Sequence, residues 1–234
     1  PGLWRIIFQK GSCLENELLP KDVPLKEVSA LDGGLRIVHE SPSFKVEILL
    51  RLSGNQALFD AKLENRSDSV IREFQFPAFG LGDLEGHSLI WSRYCGERLP
   101  DVGKAVQACH TGYMAEEQKA IQLYAMYPGF AAVNCLMLDS GGGGLYLGSH
   151  DKSFQNTLQL IRKCPDGMAA SFVKYPFLGK GQSAAFEGFV LAPYSGSWRE
   201  GAKIYRQWAS SWYKAPDVPD WIKGMNGWQR VILR

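Results

Sequence analysis

The sequence predicts a mainly β protein, an antiparallel sandwich of about ten or more strands followed by one amphipathic helix. Three observations lead to this fold class. Apolar and polar residues alternate with a period of two up to about residue 192 of 234, which is typical of strands with one buried face. Turn-forming residues separate these runs. After residue 195 the apolar residues recur at helical spacing instead.

The alternation is clearest in the first third of the chain. Apolar residues occupy every second position from Val46 to Leu52 and again from Phe59 to Leu63. Turn-forming residues stand between the strands, at Asp32-Gly33-Gly34, Ser53-Gly54-Asn55 and Asn65 to Asp68. Further strands are predicted at 70–76, 121–126, 131–138, 144–149, 157–162, 169–175 and 183–192.

Residues 80–118 differ from the rest of the predicted sandwich. They are rich in glycine, and their periodicity is poor. We therefore expect little regular structure in this region. A stretch of this length inside a compact domain is usually functional or covers another surface.

The helix is predicted over about 198–213. Ser197 and Glu200 have the spacing of a capping box, in which each side chain bonds to the backbone N–H of the other residue. Apolar residues at spacings of three and four then form one stripe, and Pro216 and Pro219 end the helix. The stripe consists of Trp198, Ala202, Tyr205, Ala209 and Trp212.

A new apolar strand is predicted at 228–233, directly before Arg234. A domain rarely ends on an apolar strand that has no partner. We therefore expect three segments: a sandwich at 1–193, a linker with the amphipathic helix at 194–220, and the start of another domain at 221–234.

Composition excludes several classes of protein. Hydrophobic residues make up 45% and charged residues 21%, as in soluble globular proteins. No apolar run approaches the roughly 20 residues of a membrane-spanning helix, so no membrane partner is predicted. The net charge of +2, without blocks of one sign, predicts no nucleic-acid partner. The first residues carry no signal-peptide pattern, which predicts a cytoplasmic protein unless a leader was removed.

Several local motifs have structural explanations. Gly141 to Gly144 lacks the Lys-Ser/Thr pair of a phosphate loop and is interpreted as a hairpin turn. Cys109-His110 are adjacent residues that point to opposite sides of an extended chain, so no metal is predicted. No other cofactor is predicted either. Asn65-Arg66-Ser67 matches a glycosylation acceptor but falls at an expected turn. The five cysteines are widely spaced and odd in number, which favours free thiols.

Three segments carry the candidate substrate-binding residues. His150 and Asp151 follow directly on a predicted strand. A histidine beside a carboxylate can bond to sugar hydroxyls or hold a general acid, whereas the alternative is that Asp151 caps a turn. Trp91 and Arg93 belong to an aromatic and basic cluster. One hypothesis is that this cluster forms a wall of a sugar site, and the alternative is that it packs against a neighbouring domain. Tyr127, in the third segment, precedes a Pro-Gly turn.

The order of these landmarks resembles a known family. The landmarks are Leu3 to Ile6, Phe76 to Phe79, Tyr127 to Gly129, Gly144 to Leu147, His150-Asp151, Gly201 to Ala209 and Pro219 to Trp221. Together they resemble the N-terminal β-supersandwich, which is galactose-mutarotase-like, and the linker helix of bacterial glycoside-hydrolase-like proteins. These proteins are related to the clan of α-galactosidases and endo-α-N-acetylgalactosaminidases.

The resemblance implies a sandwich that packs on a C-terminal (β/α)₈ barrel and helps to shape its carbohydrate site. In such proteins the two catalytic carboxylates lie at the ends of barrel strands. The implied catalytic residues therefore lie beyond Arg234, and no acidic residue of this chain is assigned to their role. The loop with His150 and Asp151 is expected to lean over the barrel mouth.

Other functions stay open at this point. A stand-alone carbohydrate-binding module accounts for the aromatic residues but not for the apolar strand at 228–233. An aldose epimerase is the third hypothesis, because mutarotases share the supersandwich fold. Its chemistry needs a glutamate base and a histidine acid, for which His150 with Glu187 is the pairing to consider. Self-association into a homo-oligomer is also left open.

Overall fold

The computed structural model describes residues 2–9, 17–94, 96–108, 122–164, 166–214 and 216–225. Within these ranges the chain is mostly β, with few helices, and its strands form two antiparallel sheets. The predicted fold class, an antiparallel sandwich followed by a helix, is confirmed. No helix in these ranges is long and apolar enough to cross a membrane. The proposed boundaries at 193 and 220 stay predictions.

The strands and helices are numbered in chain order. The strands are β1 (Arg5–Phe8), β2 (Glu17–Leu18), β3 (Leu25–Leu31), β4 (Gly34–Glu40), β5 (Phe44–Ser53), β6 (Gln56–Asn65), β7 (Ile71–Gly82), β8 (Ser88–Arg93), β9 (Glu97–Leu99), β10 (Gln122–Tyr127), β11 (Ala131–Asp139), β12 (Gly143–Ser149), β13 (Thr157–Cys164), β14 (Gly167–Lys174) and β15 (Ser183–Ser195). The α-helices are α1 (Val102–Ala108), α2 (Trp198–Trp212) and α3 (Asp220–Lys223).

The two sheets differ in width. One has six strands in the order β10-β13-β14-β7-β1-β2, and the other has nine in the order β3-β4-β5-β6-β15-β12-β11-β8-β9. Strands β5 and β6 form a hairpin in which Ile48 pairs with Ala61, so the predicted apolar faces of both strands lie on the same side. Leu52 departs from that pattern, because it lies beside the hairpin turn and is 68% exposed.

Aromatic side chains join the two sheets across the main core. Phe76 of the six-stranded sheet meets Phe189 of the nine-stranded sheet edge to face, with ring centroids 5.5 Å apart. Phe74 and Phe186 make a second aromatic contact between the sheets, with ring centroids 4.9 Å apart and planes inclined by 42°. All four rings are buried. Burial of each such side chain contributes roughly 1.5–3 kcal/mol.

Helix α2 covers a second apolar cluster on the outer face of the nine-stranded sheet. The sheet contributes Met137 and Tyr146, and the helix contributes Trp198 and Tyr205. The amphipathic helix predicted at 198–213 is thus confirmed, within one residue at its end. The predicted capping box is wrong: Ser197 is the N-cap residue, but its side chain makes no capping hydrogen bond.

The Glu200 carboxylate, which the sequence predicts to cap the helix, has another partner. Both oxygens of Glu200 accept hydrogen bonds from Lys203 at 2.8 Å. Glu200 and Lys203 are three residues apart on the exposed face of α2, a spacing at which opposite charges attract each other. The first turn therefore relies on backbone bonds, among them Glu200 N–H to the Ser197 carbonyl at 2.9 Å.

Residues 80–118 contain more regular structure than the sequence predicts. Strands β8 and β9 and helix α1 lie in this region. Gly82 ends β7, and Gly86 and Gly96 stand between elements; their φ values of 65°, 73° and 116° lie in a backbone region that glycine enters at low cost. The glycines thus mark chain reversals between short elements. The Cys109-His110 motif lies outside the described residues.

Other local interpretations are settled by the structure. The Gly141 to Gly144 segment connects β11 and β12 as the predicted hairpin. Asn65 of the glycosylation triplet is buried, and its Nδ2 donates to the carbonyls of Ser69 and Leu178 at 2.7 and 2.9 Å. Cys135 and Cys164 are free thiols. Cys13, Cys95, Cys109 and the strand predicted at 228–233 lie outside the described residues.

Helix α2 approaches the sheet most closely at Gly201, and this contact can be tested. A Cβ at Gly201 would lie 2.8 Å from Met137 Sδ and 2.9 Å from the Tyr194 ring. We expect Gly201→Ala to destabilise the fold by about 1–3 kcal/mol, measured by chemical unfolding.

The matched control is Gly103→Ala in α1, where the nearest atom to a new Cβ is 3.7 Å away. There the change should be neutral or stabilising by up to about 1 kcal/mol, because alanine favours helix. Equal effects of the two substitutions would show that α2 does not depend on this close contact.

Candidate functional site

The residues after β12 form a site at one end of the sandwich, where α2 crosses the sheet. The His150 ring stacks on Trp208 of α2, with centroids 4.6 Å apart and planes inclined by 13°. Tyr205 of the same helix meets His150 edge to face at 6.1 Å. His150, directly after β12, thus packs against aromatic side chains of α2.

Burial decides the charge state of His150, and a hydrogen bond decides which ring nitrogen carries the proton. The hydroxyl of Tyr146 lies 2.8 Å from His150 Nε2. Burial lowers the pKa of His150 to about 4, so the ring is neutral near pH 7. Tyr146 then donates to Nε2, and Nδ1 carries the ring proton. Cys135 is hydrogen-bonded to the same Tyr146, and its buried thiol completes a short chain of polar groups beneath α2.

Asp151 leads into a different network. Its Oδ2 accepts a hydrogen bond from Lys174 Nζ at 2.6 Å, and its Oδ1 accepts one from the backbone N–H of Ser153 at 2.7 Å. The Lys174 side chain is 5% exposed. Burial would raise the pKa of Asp151, but the bonds from Lys174 and Ser153 outweigh it and lower that pKa. Burial also lowers the pKa of Lys174, which Asp151 partly offsets.

These residues open into a cavity of about 800 Å³, named here the polar pocket. Its charged lining residues are Arg51, Asp60, Asp151, Lys152, Lys174 and Glu187. Cations and carboxylates are equal in number, so the pocket presents hydrogen-bond donors and acceptors without a net charge. His150 lies at its border with α2.

The wall of the polar pocket opposite Asp151 is also held in place. Asp60 forms an ion pair with Arg51 of the neighbouring strand, and its Oδ1 accepts the backbone N–H of Gly188 at 2.9 Å. Gly188 sits in a bulge of β15 with φ of 79°. Its carbonyl accepts the backbone N–H of His150 at 2.7 Å. The bulge therefore connects both walls.

Tyr127 approaches the same site from the six-stranded sheet. It is buried, and its ring stacks on Phe154 at 6.3 Å. Its hydroxyl is hydrogen-bonded to Tyr205, the residue that also contacts His150. Tyr205 in turn accepts the backbone N–H of Asn134 at 3.3 Å. Of the predicted site residues, His150, Asp151 and Tyr127 are thus brought together.

Trp91 and Arg93 lie elsewhere. Trp91 is 2% exposed, and its indole N–H donates to Glu97 Oε2 at 2.8 Å. Its side chain packs in the main core cluster. The Arg93 guanidinium lies 4.7 Å from the centre of the Tyr94 ring and 3.7 Å from Glu97. Neither residue lines the polar pocket.

The residues that sequence reasoning missed are Arg51, Asp60, Lys174 and Trp208. Each occupies an ordinary position in its element: three alternate along strands, and Trp208 lies on the helix. Only the order of the strands in the sheets brings them to His150. Within the described ranges, no group of three or more His, Cys, Asp or Glu side chains could hold a metal ion.

The low pKa of His150 predicts a pH dependence of stability. The unfolded chain binds a proton at His150 below about pH 6.5, whereas the folded chain does so only near pH 4. The free energy of unfolding should therefore fall as the pH drops through this window. In His150→Gln, whose amide oxygen can still accept from Tyr146, this fall should be smaller. Unfolding curves recorded between about pH 7.5 and 4.5 measure this fall.

The control is His87→Gln, which removes a histidine away from α2 and should keep the wild-type pH dependence. Parallel curves for wild type and His150→Gln would contradict the assigned neutral state.

Asp151 and Lys174 allow a second prediction. Asp151→Asn keeps the turn bond to Ser153 but leaves a buried ammonium without its charge partner. We expect a loss of about 3–5 kcal/mol in unfolding free energy. Adding Lys174→Met should recover most of that loss, because the unpaired charge is gone. If the double variant is as unstable as the single one, the pair does not act as a buried ion pair.

Solved structures of sugar-cleaving enzymes share this fold. The GH36 alpha-galactosidase AgaB from Geobacillus stearothermophilus aligns with 88% of this chain at a TM-score of 0.57 and 15% identity. The alpha-galactosidase AgaA from the same organism aligns with 86% at 0.55 and 15% identity. The alpha-N-acetylgalactosaminidase NagBb from Bifidobacterium bifidum aligns with 89% at 0.60 and 10% identity.

This chain spans about a third of those enzymes, covering 31%, 31% and 33% of their chains. No protein-family model matches the sequence, and no curated protein matches it. At these identities the likeness concerns the fold. The sandwich implied by the resemblance to the α-galactosidase clan is the one that these enzymes contain.

Proposed function

We propose that this chain is a non-catalytic, sugar-contacting domain of a glycoside hydrolase that acts on α-glycosides. The observation that carries the proposal is the shared fold: nearly the whole chain aligns with α-galactosidases and an α-N-acetylgalactosaminidase, yet it covers only about a third of each. The remainder of such an enzyme, a C-terminal barrel in the resemblance, is the proposed partner and would carry the catalysis.

The chemistry of the polar pocket supports sugar contact. A pyranose presents hydroxyls that both donate and accept, and it carries no charge. The pocket offers fixed acceptors at Asp60 and Asp151 and donors at Arg51 and Lys174, with no net charge to repel a neutral ligand. Because ion pairs already hold these side chains in place, binding a sugar would cost little further side-chain conformational entropy. The flat His150 and Trp208 rings lie alongside.

The same ion pairs argue against hydrolysis by this domain. Glycoside hydrolysis needs one carboxylic acid that donates a proton and a second carboxylate about 5–10 Å away. Asp60 and Asp151 both face cations, and the pKa of Asp151 is lowered. A carboxyl with a lowered pKa is a poor proton donor near pH 7.

Exposed apolar residues after α2 support a protein partner. Trp221 is 70% exposed, and Val218, Ile222 and Met225 are also exposed. Such a cluster on a soluble protein marks a contact surface. We propose that the barrel covers it.

The epimerase hypothesis retains one favourable observation, since His150 and Glu187 line the same pocket. However, His150 is neutral near pH 7, and its Nε2 already accepts from Tyr146. A general acid needs a proton to give at the working pH. We therefore place this function second, and polarimetry of α-D-galactose with the chain distinguishes the two.

Titration of the 234-residue chain with D-galactose, N-acetylgalactosamine and raffinose tests the proposal. We expect saturable, weak binding in NMR spectra, with shifts in the Trp208 indole signal. Arg51→Ala combined with Glu187→Gln should weaken binding at least about fivefold, a change of about 1 kcal/mol. Lys62→Ala, on the same face of β6 but outside the pocket, should bind as wild type does.

Two results would contradict the proposal. Absence of saturable binding for all three sugars would remove the sugar-contacting role. Turnover of an aryl α-galactoside or α-N-acetylgalactosaminide by the chain alone would contradict the non-catalytic assignment. Faster interconversion of galactose anomers would favour the epimerase.

A further inference from the structure

A second cavity lies on the other side of α2 and is named here the apolar groove. It measures about 610 Å³ and is lined by strands β8, β9 and β11 together with residues of α2 from Trp198 to Arg206. Its floor consists of Ile90, Val133, Cys135 and Met137, and Trp198 and Ala202 form the wall on the helix. Sites for small molecules typically have volumes of about 300–1,000 Å³ and mostly apolar linings.

The polar groups inside the groove are already used by the protein. The Ser92 hydroxyl donates to the Val133 carbonyl at 3.1 Å and accepts the Val133 N–H at 2.9 Å. Burial raises the pKa of the Cys135 thiol to about 12, and this thiol is bonded to Tyr146. A polyol in the groove would lose hydrogen bonds to water without replacement, which is costly. The groove therefore does not suit a sugar.

Charged groups are confined to the rim, and they are unbalanced. Glu97 is held by the Trp91 indole and lies 3.7 Å from Arg93. Arg98 of β9 and Arg206 of α2 line the groove from opposite sides. Within the residues that the structure describes, neither guanidinium has a carboxylate at ion-pair distance. The rim thus offers two cations whose charge is not matched.

We propose that the apolar groove binds a small amphipathic anion, an aryl or short acyl carboxylate. The apolar body would lie on Met137 and Val133, and the carboxylate would reach the guanidinium groups of Arg98 and Arg206. Planar guanidinium groups bind carboxylates through paired hydrogen bonds. Met137 is flexible and polarizable, which suits an aromatic or aliphatic body of variable shape.

Calorimetric titration of the 234-residue chain with 2-naphthoate and with its uncharged counterpart 2-naphthamide tests the proposal. We expect one molecule of naphthoate to bind per chain, at least about tenfold more tightly than the amide. Arg98→Ala combined with Arg206→Ala should remove this preference for the acid. Ala202→Phe should weaken both ligands, because the new ring occupies the groove.

Lys203→Ala is the matched control, since it removes a cation from α2 on the face that pairs with Glu200 and does not line the groove. It should bind naphthoate as wild type does. Thermal unfolding of each variant shows whether the fold is kept. Equal affinities for acid and amide in the wild-type chain would overturn the proposal, as would absence of binding or an unchanged preference in the double arginine variant.

Discussion

The contact between α2 and the outer face of the nine-stranded sheet is the interaction on which the rest of the structure depends. A sheet this wide has apolar side chains on both faces in its middle, where β11, β12 and β15 lie side by side. The six-stranded sheet can cover only one of those faces. The helix covers part of the other, and Gly201 lets its backbone approach Met137 and Tyr194 closely. The apolar groove lies where α2 leaves part of that face uncovered.

The two cavities differ in chemistry: α2 lines the apolar groove, and it reaches the polar pocket only through its contacts with His150. Toward its first half, α2 and the sheet present aliphatic and sulfur-containing side chains whose few polar neighbours are bonded to the backbone. Toward its second half, Tyr205 and Trp208 contact His150, which lines the polar pocket together with ion-paired residues from several strands. The two ligands proposed above follow from this difference: a neutral, hydroxyl-rich ligand for the polar pocket and an apolar body with one charge for the apolar groove. Tyr205 lines the apolar groove and contacts His150 of the polar pocket.

Ion pairs in the polar pocket fix the positions of its side chains more than they stabilise the fold. Taking the Lys174 ammonium out of water costs free energy that its attraction to Asp151 only partly returns, as the lowered pKa of Lys174 reflects. In exchange, the two side chains have a single arrangement. Asp60 is fixed in the same way, by Arg51 and by the N–H of Gly188. A site built of such groups is ready for a polar ligand before the ligand arrives.

The sequence by itself determined the fold class and much of the secondary structure outside residues 80–118, because both follow from local patterns. The alternation from Val46 to Leu63 specified β5 and β6, and the apolar stripe from Trp198 specified α2. It also placed His150 and Asp151 at a strand end. Predictions from local patterns were wrong where another contact was formed instead. The predicted capping box is an example, because the Glu200 carboxylate bonds to Lys203. Only the tertiary structure decided which distant residues meet: strand order brings Asp60, Lys174 and Trp208 to His150, whereas Trp91 is directed into the core. Residues more than a hundred positions apart become neighbours through sheet pairing, and no spacing within the sequence records that pairing.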